Sequence, residues 1–265
     1  MSSRRLDVAM VARGLARSRT QAHGMVVSGG VVVNGRAATK PSTPVDDNAD
    51  IAVTREPDRW VGRAALKLVR AFELWPVTAF GKRCLDVGAS TGGFTQVLLE
   101  QGAAHVTALD VGRGQLVSSI AADPRVFDLP RTNVRTVDAQ RLGGPFEMVV
   151  CDLSFISLTL ALPAIRPLLR DDGDLVALVK PQFEVGRERL GRRGVVTSAH
   201  EHRRVLRLVA GHALALGLHL HGAAASPITG GDGNREFLFW LAPRPSSVEA
   251  DVDDMLERMH LEQAP

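Results

Sequence analysis

Four charged residues stand in apolar surroundings where they could do chemistry. Lys67 lies in Arg63-Ala64-Ala65-Leu66-Lys67-Leu68-Val69, a helix-like segment, and Asp152 closes the strand-like run Val149-Val150-Cys151-Asp152. Lys180 ends Leu178-Val179-Lys180 and continues into Pro181-Gln182-Phe183-Glu184, while Glu236 opens Glu236-Phe237-Leu238-Phe239-Trp240. A single lysine, taken alone, reads as a surface charge. Two lysines and two carboxylates at strand ends around one cleft read differently. An amine held beside another and partly desolvated can be neutral enough to accept a proton. That suits a hydroxyl, a poor nucleophile that must be aimed in line and relieved of its proton. On this reading Lys180 is the base, Lys67 and Glu236 orient the hydroxyl and tune Lys180, and Asp152 holds Lys180 in place and faces the second reactant.

A second cluster is a ligand cradle. In Leu85-Asp86-Val87-Gly88-Ala89-Ser90-Thr91-Gly92-Gly93-Phe94-Thr95 a strand ends, a turn of small residues follows and a helix begins. Gly88, Gly92 and Gly93 let the backbone pass close to a ligand. The spacing is neither G-x-G-x-x-G nor G-x-x-x-x-G-K-[ST]. Asp86, an acid at the strand's end, suits a cationic amino-acid or sulfonium group better than a pyrophosphate. Asp110, closing the next strand in Ala108-Leu109-Asp110, can hold both hydroxyls of a ribose. Asn133, past the third strand, is placed either to meet an adenine edge or to be a plain loop residue. D-x-G-x-x-x-G-G followed by the later acid resembles the S-adenosylmethionine-binding motifs of class I methyltransferases. That resemblance makes Asp86, Gly88, Ala89, Ser90, Gly92, Gly93, Asp110, Asn133 and Asp152 the cofactor-binding set.

The elements that must position these residues alternate from residue 61 onward, as in a doubly wound sheet. Strands are expected at Arg83–Val87, His105–Asp110, Val126–Leu129, Phe146–Asp152, Asp174–Lys180, Leu218–Ala225 and Glu236–Leu241. Helices are expected at Phe94–Gln101, Gly112–Ala122, Ser157–Arg170 and His200–Leu216. Ahead of them the first 55 residues read as a small α+β unit. Its helix Arg4–Gly14 presents Leu6, Met10 and Val11 on one side; a second helix opens at Ser18, with Gln21 completing a capping box, and closes at Gly29-Gly30. Val31-Val32-Val33-Asn34-Gly35-Arg36 is a strand entering an Asn-Gly hairpin turn, with Asp50–Thr54 returning. Residues 41–60, with three prolines, read as a turn-rich edge and linker in which Trp60 packs at the joint.

Charge is distributed unevenly. The 265 residues carry a net +3, all of it within residues 1–60; residues 1–40 hold seven bases and a single acid, Asp7. Such a module suits a phosphate backbone. Arg17 and Arg19 flank the second helix's N-terminus, where free N–H groups favour an anion. Arg4, Arg5, Ser18, Gln21 and Lys40 complete the expected RNA-binding set. The two cysteines, Cys84 and Cys151, sit in apolar runs and read as buried thiols, not as a metal site. No apolar run is long enough to span a bilayer and no secretory leader is visible, so a cytoplasmic protein is expected.

Several strings carry family resemblances. Arg5-Leu6-Asp7, Arg17-Ser18-Arg19-Thr20-Gln21-Ala22 and Gly30-Val31-Val32-Val33-Asn34-Gly35 resemble an S4 RNA-binding domain. The order Lys67, Asp152, Lys180, Glu236 resembles the tetrad of ribose 2′-O-methyltransferases. Asp152-Leu153-Ser154-Phe155-Ile156-Ser157, Lys180-Pro181-Gln182-Phe183-Glu184 and Gly230-Gly231-Asp232-Gly233-Asn234-Arg235-Glu236-Phe237 resemble the TlyA family, from about residue 4 to 241. That family is known both as hemolysins and as cytidine 2′-O-methyltransferases of ribosomal RNA. The resemblance implies S-adenosylmethionine as cofactor and ribosomal subunits, 30S and possibly 50S, as partners. It implies an α/β fold: a Rossmann-like class I methyltransferase sheet, mostly parallel and seven-stranded, behind a small N-terminal α+β S4 domain. The divisions would be 1–57, a linker 58–63, a catalytic domain 64–243 and an acidic tail 244–265 with a docking helix marked by Val248, Val252, Met255 and Met259. Arg113 replaces an aromatic residue common in relatives, and Gly62 and Ala64 leave the start of the Lys67 helix weakly specified. The basic segment 187–193, flanked by Gly186 and Gly194, reads either as a loop that closes over RNA or as an ordinary surface loop. Base methylation is a rival, but Asp152-Leu153-Ser154-Phe155 lacks the prolines of an amino-methylating motif, and alternation turns Cys151 away from the cleft. An RNA-binding assembly factor on the same fold is a second rival. A pore-forming hemolysin finds no spanning helix or barrel strands. Oligomeric state is left open.

Overall fold

The computed structural model describes residues 3–16, 18–27, 29–54, 59–137, 142–186, 188, 190–191, 194–246 and 254. The chain divides into two units, Met1–Arg59 and Trp60–Pro265.

In the first unit, β1 (Ser3–Arg5) leads into α1 (Leu6–Ala12), α2 (Arg19–Val27), β2 (Val31–Val33), β3 (Arg36–Ala37), β4 (Pro44–Asp46) and β5 (Ile51–Val53). Asn34 and Gly35, both at positive φ, turn β2 back on β3, and β5 pairs with the other edge of β2. Leu6, Met10, Ala22, Met25, Val26, Val31 and Val45 form its own core, with Val11 packed at the margin. The expected helix Arg4–Gly14 is shorter than its pattern. Arg4 and Arg5 are strand residues, because β1 pairs antiparallel with β4 and Arg4 lies opposite Val45. Ser18 Oγ caps α2 by accepting from the Gln21 N–H at 3.2 Å.

The second unit begins with α3 (Ala65–Leu74), whose cap residue Ala64 offers no side-chain acceptor. Then come β6 (Arg83–Val87), α4 (Gly93–Glu100), β7 (His105–Leu109), α5 (Ser118–Ala121), β8 (Val126–Leu129), β9 (Phe146–Cys151), α6 (Leu158–Ile165), β10 (Leu169–Val179), α7 (Pro181–Glu184), α8 (Ala199–Ala215), β11 (His219–Ala225) and β12 (Phe237–Ala242). The sheet order is β11-β12-β10-β9-β6-β7-β8. β12 is antiparallel to both its neighbours, while the β10-β9-β6-β7-β8 pairings are parallel. Alternation along the strands feeds two cores. Leu85, Val87, Val149 and Cys151 pack with α6 and α8, whereas Cys84, Met148 and Val150 pack with α3 and α4. Trp60 packs against the second of these cores.

Two expected helices are shorter than their patterns. The segment from Gly112 is a loop until Ser118, with Gly114 at positive φ and the Asp110 carboxylate accepting the Gly112 N–H. The helix expected over Ser157–Arg170 stops at Ile165. Pro167 removes a donor there, and a 3-10 turn at Arg166–Leu168 delivers the chain into β10, which starts earlier than expected and shifts register between Leu169 and Asp174. The expected tail helix marked by Val248, Val252, Met255 and Met259 lies outside the described residues.

Candidate functional site

The topology brings one end of the sheet together as a chemical surface. The strand order reverses between β9 and β6, and ligands of open α/β sheets bind beyond the carboxyl ends of strands at such a point. Asp152 and Lys180 follow directly on β9 and β10. Glu236 directly precedes β12. Because β12 is antiparallel, with Phe237 opposite Val179, its beginning lies beside the end of β10. Lys67, near the start of α3, reaches the same spot.

The four charges form an unbroken alternating chain. Lys180 Nζ lies 2.6 Å from Asp152 Oδ1, Asp152 Oδ2 accepts from Lys67 Nζ at 3.1 Å, and Lys67 Nζ donates to Glu236 Oε2 at 2.6 Å. All four are largely withdrawn from solvent, with side-chain exposures between 3% and 11%. Lys67 is an interior link, held by two carboxylates. Lys180 is a terminus: besides Asp152 it meets Ser154 Oγ at 2.9 Å, and it fronts a cavity of about 440 Å³ with Arg63, Gln182 and Glu236. A second cavity, of about 490 Å³, is lined by Gly88, Ser90, Asp110, Asn133 and Asp152. Ser154 and Phe155 line both.

The second cavity has the donors and the space for a nucleoside linked to an amino acid. Asp110 is oriented by two backbone donors, Ser90 N–H at 2.8 Å and Gly112 N–H at 2.7 Å, and its remaining lone pairs can accept from a diol. Gly88 has φ 89°, and a Cβ there would sit 2.6 Å from the Asp152 carbonyl oxygen, so only glycine lets these two strand ends close up. Asn133 Oδ1 accepts from the Arg135 N–H at 3.0 Å, which leaves its amide nitrogen to act on a ligand.

Not every residue of the expected cofactor set lines this cavity. Asp86 is fully buried under the loop, where Thr95 Oγ1 donates to its Oδ2 at 2.7 Å, so it supports the cradle from below and does not line it. Burial pushes its carboxyl up to about 7, against the Thr95 hydroxyl and with the help of Asp152. Ala89, Gly92 and Gly93 are likewise absent from the lining. The spaces beside Gly92 and Gly93 are taken by Leu116 and Ile120 and by the Ala65 backbone, because these glycines seat α4 against its neighbours.

Further residues shape the site. Phe155 holds a left-handed backbone (φ 66°), unusual for a bulky residue, and is 92% exposed, with its ring 5.4 Å from that of Phe183. Lys180 Nζ lies 5.9 Å from the centroid of the Phe183 ring. Glu184 ends α7 by gripping the start of α6: its carboxylate accepts from Ser157 Oγ at 2.5 Å and from the Leu158 N–H at 2.6 Å. Only the unusual wording of the two strings that contain them marked these residues.

In the first unit Arg4 pairs with Asp47 at 3.1 Å, Arg5 and Arg19 both turn to Asp7, and Lys40 is exposed. Arg17 lies outside the described residues, as do Arg187, Arg189, Arg192 and Arg193 of the basic segment, whose bounding Gly186 and Gly194 both have positive φ. Cys84 and Cys151 are free and buried, and desolvation raises both thiols, Cys84 to about 12. Cys151 belongs to the α6–α8 face, away from Asp152. Among the described residues no helix is long and apolar enough to cross a membrane.

Comparison with known proteins gives consistent matches. The FtsJ-like methyltransferase family matches residues 60–242 and the S4 domain matches residues 4–51. A Mycobacterium tuberculosis protein described as a 16S/23S rRNA (cytidine-2′-O)-methyltransferase, TlyA, is 49% identical over 89% of each chain. A Campylobacter jejuni protein described as a 23S rRNA (cytidine-2′-O)-methyltransferase, also TlyA, is 36% identical over 68% of this chain and 70% of its own. The solved structure of a protein named as a hemolysin from Streptococcus thermophilus aligns with a TM-score of 0.75 at 39% identity, covering 99% of this chain and 97% of that one.

Proposed function

We infer the function of this chain from its family and from its tetrad: it belongs to the FtsJ-like methyltransferases, in the TlyA branch with an S4 domain. It is an S-adenosylmethionine-dependent enzyme that methylates a cytidine ribose 2′-hydroxyl of ribosomal RNA. We propose that both 30S and 50S subunits are substrates, following the Mycobacterium relative, and that the cytoplasm is where they meet.

The residue roles are our assignment. When bound, S-adenosylmethionine supplies an electrophilic methyl group on a sulfonium sulfur. Asp110 would accept its ribose hydroxyls, the Gly88 and Ser90 backbone would flank it, and Asn133 would offer its amide to the adenine edge. Lys180, the end of the charged chain that fronts the 440 Å³ cavity, binds the target 2′-hydroxyl and takes its proton. Asp152 stabilises the ammonium that results, and Ser154 Oγ fixes its direction. Lys67 joins Asp152 to Glu236, so that neither carboxylate is left uncompensated in a low-dielectric pocket. Phe155, standing out between the two cavities and backed by Phe183, offers a face on which the target base stacks. The observation that carries this reading is the alternating chain Lys180–Asp152–Lys67–Glu236 at the seam of two cavities.

The test is methyl transfer from labelled S-adenosylmethionine to purified 30S and 50S subunits that lack the modification. Label is expected on a ribose 2′-oxygen, with loss of at least two orders of magnitude in Lys180→Ala, within the range of general-base contributions. Label on a base, or an undiminished rate in Lys180→Ala, would sink the tetrad assignment. Label on one subunit only would narrow the substrate.

A further inference from the structure

Asp7 stands in the wrong place for a purely electrostatic RNA surface. It is the single acid among seven bases in residues 1–40, and a carboxylate beside a phosphate-binding face opposes binding. Its side chain, however, is only 4% exposed and fully engaged. Arg5 forks onto it, Nε to Oδ1 at 3.0 Å and Nη2 to Oδ2 at 2.8 Å. Arg19 Nη2 reaches Oδ2 at 3.3 Å, and the Val8 N–H donates to Oδ1 at 2.9 Å. Arg5 is the last residue of β1, Asp7 the second of α1 and Arg19 the first of α2. One buried carboxylate therefore gathers two guanidinium groups where both helices begin, beside the Ser18 cap.

The guanidinium groups are not consumed by this. The Arg5 and Arg19 side chains remain 50% and 62% exposed, and among the described residues Arg5 Nη1 meets no acceptor. Two like charges drawn together would repel and sample many rotamers; the carboxylate between them removes both obstacles. The Arg5 fork, helped by Arg19, holds the Asp7 carboxyl well below the usual carboxylate range, so it stays charged.

We propose that Asp7 is a positioning residue for RNA: it pre-assembles Arg5 and Arg19 into one clamp for the phosphate backbone, so that an acid strengthens binding to a polyanion. This rests on the first unit being the RNA-binding unit. Ordering a long side chain on binding costs free energy, and a clamp already held in place avoids that cost.

The test is filter binding of the full chain to unmodified in vitro transcribed 23S rRNA over a range of salt. Asp7→Asn raises the net charge by one yet is expected to bind about tenfold more weakly, the loss expected when two rotamer-rich side chains must be ordered anew. Its log K against log salt should flatten by roughly one phosphate contact. The loss should shrink when Arg5→Ala is already present, which a general unfolding of the unit would not produce. Arg5→Lys keeps the charge and leaves Asp7 in place but cannot fork, and should weaken binding too. Equal or tighter binding by Asp7→Asn or by Arg5→Lys, while Arg5→Ala and Arg19→Ala weaken it, would overturn the proposal alone. If the two alanine variants together leave affinity unchanged, the RNA-binding reading of this face falls with it.

Discussion

At the scale of single residues, a charge withdrawn from water needs a partner of opposite sign, and Lys67, Asp152, Lys180 and Glu236 each have one within 3.1 Å. Lys67, Asp152, Lys180 and Glu236 were legible because each lies within or at the end of an apolar run, and a charge there needs a reason. Asp86 was legible as important but not in its role. Position at a strand's end does not tell whether a side chain points into the crevice or beneath it, and Thr95, which fixes the answer, comes nine residues later. The buried state of Asp86 has a measurable consequence. Its folded pKa is raised to about 7, so its stabilising contribution is complete below the ordinary carboxylate range and is lost as pH rises through 7. Asp86→Asn, which can still accept from Thr95, should remove that dependence. The melting-temperature difference between wild type and variant should therefore shift against wild type from pH 5 to pH 8. A difference that stays flat across this range would show that Asp86 does not titrate there.

At the scale of elements, periodicity located the strands and the long helices well and their ends poorly. The Arg4–Arg5 pair reads equally as the first turn of a helix, and only pairing with β4, some forty residues away, makes it a strand. Nor did any local signal mark α7, a single turn after Lys180, or the link it makes. The loop 152–157 and the turn 180–184 are cross-braced at three levels: Lys180 with Asp152 and Ser154, Phe183 with Phe155, and Glu184 with Ser157 and the Leu158 N–H. The third brace touches no reacting atom, yet it closes the frame that aims the first. Glu184→Ala and Ser157→Ala are each expected to lower kcat several-fold. Combined they should fall short of additivity by roughly 1 kcal/mol, as for groups in contact. Full additivity in that cycle would mean the brace is not a unit.

At the scale of the whole molecule, each unit owns a core: Leu6, Met10, Val26 and their neighbours in the first, and the two faces of the seven-stranded sheet in the second. The boundary between the units was legible from the change of pattern near residue 60 together with the charge asymmetry, since the net positive charge lies in residues 1–60. A fragment beginning at Trp60 should fold and bind S-adenosylmethionine by calorimetry, but methylate ribosomal subunits at least tenfold more slowly, a loss equivalent to about 1.4 kcal/mol. Full activity in the fragment would remove the S4 domain from substrate recognition.

β12 also sets an order in time. It is the last of the described strands to be synthesised, yet it occupies an interior slot between β11 and β10, and it brings Glu236 with it. A nascent chain can display its glycine loop and Lys180 long before Glu236 leaves the translating ribosome. A product terminated early, as after a frameshift, would thus carry a cofactor cradle with an incomplete charged chain. With that carboxylate placed just ahead of β12, the alternating chain of charges closes only once residue 236 has been made.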